Sequence, residues 1–160
     1  LDSASGQGIP YATYAFASHL ALVTVDTSTG EVTVNRIVAA HDVGKAINPQ
    51  NVEGQIQGGV GMGLGFALME EFIPGKTASM GDYRIPTSLD MPEIIPIIVE
   101  DQEPTGPYGA KGVGEPALIP TAPAILNAIA DALGERIFRL PAHPERVRET
   151  ARRKAADKGG

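Results

Sequence analysis

Eleven residues carry the densest chemical signal in the chain: Gly106 to Pro116, GPYGAKGVGEP, with four glycines, two prolines, one lysine and one glutamate. A backbone so poor in side chains cannot build a core. Glycine-rich turns present consecutive N–H groups without obstruction and form concave sites for anions. Gly109 to Gly114 suits that role, with Lys111 adding a positive charge. Glu115 ends the run, and Pro116 disfavours helical backbone at the residue before it. Glu115 is therefore expected to be held extended, outside the helix that follows. A carboxylate fixed beside an anion nest is a preorganised general base. The competing reading is a surface glutamate that caps a later helix or pairs with Lys111. Asp101 and Glu103, the nearest other acids, read as solvated, so paired-carboxylate chemistry is not favoured.

Other chemistries find less support. The chain has no cysteine, which removes disulfides, thiolate zinc sites and iron–sulfur ligation. His19, His41 and His143 match no metal-ligand spacing, so no protein side chain is assigned to a metal. His41 and Asp42 stand adjacent as a tempting acid–base pair, but bracing of the loop after the first hairpin is the favoured role. Net charge is −6 at pH 7, with no positive stripe for a phosphate backbone, so nucleic acid is not an expected partner. No uninterrupted apolar run reaches the roughly 20 residues of a membrane span.

The elements that must position these residues follow from local signals. His19–Asp26 and Glu31–Ala40 are β-rich runs separated by turn formers, and predict an antiparallel hairpin. Their continuous apolarity predicts that both faces are at least partly covered. His41–Pro49 reads as a loop by its Gly and Asn-Pro signals. Asn51–Glu71 becomes helical in its C-terminal half, with Met62, Phe66 and Met69 on one side. Gly58, Gly59, Gly61, Gly63 and Gly65 crowd that stretch, each at about 0.8–1.0 kcal/mol relative to alanine. Close helix packing and close approach by a non-protein group both account for them. Ile94–Glu100 reads as a short strand in which Pro96 marks an edge or a break. Thr121 is placed to cap a helix ending at Gly134, with Ile125, Ile129 and Leu133 at helical spacing. RIFRLP reads as extended, and Pro144 onward as a charged helix fraying into a tail. The expected class is α+β: hairpin, glycine-rich helix, short strand, glycine-rich loop and two C-terminal helices.

Several motifs in order carry a family resemblance. GAKGVGEP, VEGQIQGGVGMGLGFALMEE and AHDVGKAINP resemble the C-terminal part of the molybdenum-binding subunit of the xanthine dehydrogenase/aldehyde oxidoreductase family. GQGIPYATYAF, VTVDTSTGEVTV, GDYRIPT and RLPAHPERV extend the likeness over about residues 6–148. The resemblance implies a molybdenum hydroxylase with a molybdenum–pyranopterin cofactor, carrying a cytosine dinucleotide in bacterial members. It implies that Glu115 removes the proton from the hydroxide on the metal, and that Gln55 lies against the pterin and the metal's ligands. Lys111, Gly112, Val113 and Gly114 would contact the cofactor through their backbone. Met62-Gly63 departs from the Gln-Gly of many members, so no polar contact of that Gln transfers. The resemblance further implies that residues 1–160 are the C-terminal portion of the subunit, a fragment or split subunit opening at Leu1, with 149–160 a charged tail. The remaining molybdenum-subunit chain, an iron–sulfur subunit with 2Fe-2S clusters and an FAD subunit are the implied partners. The substrate would be an N-heteroaromatic, purine- or nicotinate-like, or an aldehyde, and a cytoplasmic location is expected. Carbon monoxide oxidation and aromatic-thioester reduction use the same scaffold, and the isolated chain could be an assembly piece without activity of its own.

Overall fold

The computed structural model describes residues 2, 4–8 and 13–157. Leu1, Ser3, Ile9–Ala12 of the opening motif and Lys158–Gly160 of the expected tail lie outside the described residues. The hairpin forms from β1 (Ala17–Val25) and β2 (Val32–Asp42), antiparallel, with an irregularity between Leu22 and Val23. Asp26 organises its turn, its carboxylate accepting from the Ser28 and Thr29 N–H groups at 2.8 and 3.2 Å. A third strand, β3 (Glu93–Val99), joins β2 in parallel, giving the order β1-β2-β3. Pro96 sits mid-strand, tolerated because β3 is an edge strand among the described residues.

β2 runs further than its local sequence suggests. His41 and Asp42, expected in a loop, are its last residues and pair with Ile98 and Val99 of β3. The second partner strand satisfies backbone groups that a lone hairpin would leave open, and so overrides the nearby turn signals.

Helix α1 (Pro49–Leu68) also exceeds its expected length. The Asn48 side chain accepts from the Asn51 N–H at 3.1 Å, and Pro49 occupies the first turn, where its missing N–H is harmless. Val52, Ile56, Val60, Leu64 and Ala67 form its buried face. Met62 and Phe66 lie outside that face and are exposed. The short α2 (Glu115–Leu118) and then α3 (Thr121–Leu133) pack on α1, and α3 also covers β1. The core centres on Ile37 of β2, Ile56 of α1 and Ile125 and Ile129 of α3, all with zero exposure. Across residues 115–133 the mean hydropathy is 1.3, enough in length and composition for a membrane span. Yet α3 spends its apolar stripe on this core, and α2 is a separate helix.

Two expectations about α3 part company. Gly134 ends it in a left-handed conformation (φ +70°), its N–H reaching the Ala130 carbonyl at 2.8 Å, as its sequence predicts. Thr121 does not cap it; Pro120 occupies that position and the buried Thr121 hydroxyl points elsewhere. RIFRLP forms no strand. Helix α4 (Pro144–Asp157) closes the fold, anchored where Glu71 accepts from His143 and Arg146 at 2.8 and 3.0 Å. The α+β class expected from sequence is the one observed.

Candidate cofactor-facing site

The glycines of α1 divide by direction. A Cβ built at Gly59 would lie 2.5 Å from that of Ala117 in α2, and one at Gly63 would overlap Thr121 of α3. These two glycines let α1 approach its neighbouring helices. Gly54 and Gly58 have nothing within 4 Å of a Cβ and face open space beside Gln55. The first turns of α1 open on a polar hollow of about 920 Å³ lined by Gln50, Asn51, Glu53, Gly54, Gln55 and Gln57.

Close helix packing brings the predicted residues together. Gln55 is exposed on α1, and its Oε1 lies 3.4 Å from where a Cβ of Gly114 would stand. Gly114 makes the corner into α2 with φ +148° and ψ −90°, a conformation that L side chains rarely adopt. Glu115, expected outside the helix, is instead its first residue, exposed on the surface. The break is made by Gly114 one residue earlier, and Pro116 falls in the first turn, where proline is accommodated. Among the described residues, no group accepts from the N–H of Gly112, Val113, Gly114 or Glu115. Four consecutive free donors, open space over Gly112 and a neutral amide alongside form a cradle for a polar, anionic group.

Lys111 differs from its expected role. Its side chain is 6% exposed, and Nζ donates to Asp42 Oδ2 at 2.5 Å, so it offers no free charge to an anion. Its N–H donates to the Val43 carbonyl at 2.9 Å, so that donor too is unavailable to a ligand. The Asp42 hydrogen bond raises the lysine's pKa. Burial pushes the Asp42 carboxyl up, but hydrogen bonds from Lys111 and the Gly44 N–H outweigh it and leave the group below its ordinary range. The pairing of Glu115 with Lys111 offered by the competing reading does not occur.

His41 and Asp42 are not an acid–base pair. Asp42 faces Lys111, whereas His41 Nε2 meets His19 Nε2 at 2.6 Å. His19 Nδ1 lies 3.0 Å from the Thr121 hydroxyl, which donates to the Ala117 carbonyl at 3.2 Å. Only one proton fits between the two Nε2 atoms, so the two rings cannot both be charged. Burial lowers the His19 pKa to about 4, with the neighbouring His41 adding to the shift, and burial likewise lowers that of His41. This link went unpredicted because the histidines are 22 positions apart. The one available signal is the hairpin itself, whose pairing sets His19 against Ala39 and Ala17 against His41, within diagonal reach.

With this geometry in place, the likeness to known proteins gains a physical setting. A family model described as the molybdopterin cofactor-binding domain matches residues 1–92. The xanthine dehydrogenase molybdenum-binding subunit of Escherichia coli O157:H7 is 43% identical over 141 residues, covering 84% of this chain. The chain belongs to the molybdenum-binding subunits of the xanthine dehydrogenase/aldehyde oxidoreductase family. The solved aldehyde oxidoreductase of Desulfovibrio desulfuricans superposes with a TM-score of 0.83 at 43% identity, covering 92% of this chain. The carbon monoxide dehydrogenase of Oligotropha carboxidovorans has the same TM-score at 27% identity and 93% coverage. The chain spans a fifth or less of these relatives: 19%, 16% and 20% of their respective lengths. The family match ends before the Gly112–Glu115 turn, whose free N–H groups and neighbouring neutral amide have the donor chemistry that a polar cofactor such as a pterin would meet.

Proposed function

We propose that this chain is the base-bearing portion of a molybdenum hydroxylase acting on an N-heteroaromatic, purine- or nicotinate-like, or on an aldehyde. The observation that carries the reading is the Gln55 amide beside the Gly114 corner, within a stretch, Gly112–Glu115, whose N–H groups have no acceptor among the described residues. Gln55 and the Gly112–Gly114 backbone would hold a molybdenum–pyranopterin, in its cytosine dinucleotide form, which would supply the activated oxygen and the electron acceptor. The chain's own part is to hold and to move a proton. Gly112, Val113 and Gly114 donate backbone hydrogen bonds to the cofactor's polar edge, with no side chain at the two glycines to keep it away. The Gln55 amide adds both donor and acceptor without adding charge. Lys111 contributes by holding the turn rather than by touching the cofactor. The exposed Glu115 carboxylate, at the start of α2, would accept the proton of the oxygen nucleophile as general base.

Substrate walls and much of the cofactor cradle belong to the rest of the molybdenum subunit, and electrons leave through partner chains carrying 2Fe-2S clusters and FAD. The absence of cysteine in these residues accords with clusters held elsewhere. Likeness to the carbon monoxide dehydrogenase at a TM-score of 0.83 supports a second reading, that chemistry on the same scaffold. The test is Glu115→Gln in the assembled enzyme. Turnover is expected to fall at least about a thousandfold with molybdenum and pterin content unchanged. Normal hydroxylation by that variant would rule Glu115 out as the base.

A further inference from the structure

Lys111 and Asp42 stand out because buried ion pairs seldom add stability. Desolvating two charges offsets much of their attraction, and apolar replacements of similar volume are often as stable. Yet both side chains are nearly inaccessible, at 6% and 7% exposure, with Nζ and Oδ2 at 2.5 Å. Asp101, 81% exposed, lies farther off at 3.7 Å from the same ammonium. The pair must be read with the backbone around it.

Asp42 uses its two oxygens on two different segments. Oδ2 takes the Lys111 ammonium, and Oδ1 accepts from the Gly44 N–H at 3.0 Å. The turn after β2 and the loop before α2 are thereby tied through one carboxylate. Backbone bonds repeat the tie: Lys111 N–H to the Val43 carbonyl at 2.9 Å, and Lys45 N–H to the Gly109 carbonyl at 2.7 Å. Gly44 (φ +62°) permits the contact, since a Cβ there would overlap the Gly109 carbonyl. Immediately past Lys111 the bonding stops. The N–H groups of Gly112 to Glu115 have no acceptor among the described residues, and the next bond runs from Ala117 N–H to the Gly114 carbonyl at 3.1 Å. Ala117 in turn rests on Gly59. The free turn therefore spans two anchors, Lys111 on one side and Ala117 on the other.

We propose that Lys111 and Asp42 form a buried clamp that positions the Gly112–Glu115 turn, making both of them positioning residues for the reaction. The inference rests on the reading of Glu115 as the base, because it explains how that carboxylate is held at a defined place. The turn is weakly held by itself: it has two glycines in four residues, and none of its N–H groups has an acceptor among the described residues. A lysine ammonium locked on one carboxylate gives its upstream end a direction that apolar packing would leave loose.

The test uses the assembled enzyme with Lys111→Met, Asp42→Asn, Lys111→Arg, Asp101→Asn and the double change Asp42→Leu/Lys111→Met. Four quantities are measured: molybdenum and pterin per subunit, turnover per bound molybdenum, KM, and hydrogen exchange of segment 112–118. Lys111→Met and Asp42→Asn are each expected to lower turnover per molybdenum roughly 10- to 100-fold, the loss that a displaced group of about 1 Å produces. KM stays within about twofold, and exchange across 112–118 quickens. Lys111→Arg restores most of the turnover, and Asp101→Asn behaves as the parent. The double variant carries no unpaired buried charge, so it folds, yet it remains slow and exchanges fast. Folded clamp variants with parental turnover and parental exchange would overturn the proposal. So would failure of the double variant to fold, which would make the pair a folding element. Normal turnover in Glu115→Gln would remove the base assignment alone, because exchange at 112–118 and cofactor content still report on the clamp.

Discussion

Two glycine-rich regions of this chain use the absent side chain for opposite purposes. In α1, Gly59 and Gly63 leave room that Ala117 and Thr121 fill, so their effect is close helix contact. In the turn before α2, Gly112 leaves room that stays open, and among the described residues nothing accepts from the N–H groups of Gly112 to Glu115. The first region is finished by the fold itself, whereas the second presents donors for something else to finish. Composition alone cannot separate the two uses, because both stretches are simply rich in glycine.

The comparison breaks most readily at Gly63. Gly63→Val drives a branched side chain into Thr121, and overpacking of this kind destabilises by about 1–3 kcal/mol, occasionally more. A fall in the thermal unfolding midpoint is the expected readout, and parental stability would erase the distinction drawn between the regions.

Acid should separate the regions next. Thr121, which Gly63 admits, also ends the buried His19–His41 link. His19 has a folded pKa of about 4 against an ordinary value of 6.5. Its contribution is complete above pH 6.5 and is lost progressively as pH falls toward 4, because the unfolded chain takes up protons first. Unfolding followed from pH 7 to pH 4 should show this decline, and His19→Gln should flatten it. An unchanged slope in that variant would mean that the link is not the titrating element. The smallest effect is expected at Gly58, which has open space over it. Gly58→Ala should stabilise α1 by about 0.8–1.0 kcal/mol, measurable by urea titration of the chain. A loss instead would show that this face needs close approach in the free protein as well.

How much was legible depended on whether the cause was local. The hairpin, the Gly134 stop and the charged last helix follow from alternation, turn chemistry and a left-handed glycine, all within a few residues. Gln55 and Glu115 are candidates because their motifs stand in family order, and the fold sets the Gln55 amide beside the Gly114 corner that leads into Glu115. The end of β2 was misread as loop because Gly44 and Asn48-Pro49 lie close by, while the partner that extends it starts 57 positions after Arg36. Pro116 was given a role that belongs to Gly114, since a proline is visible in sequence and a φ of +148° is not. Lys111 was read as a free charge for the same reason: its counter-charge lies 69 positions away.

The sequence by itself determined the elements with local causes, the family, and the two side chains on which the proposed chemistry rests. Only the tertiary structure decided which donors remain free and which charges are spent. A buried ammonium must find a carboxylate, but topology chooses which one, and here β3 laid beside β2 brings the Lys111 loop to Asp42. That choice leaves the N–H groups of Gly112 to Glu115 without an acceptor among the described residues.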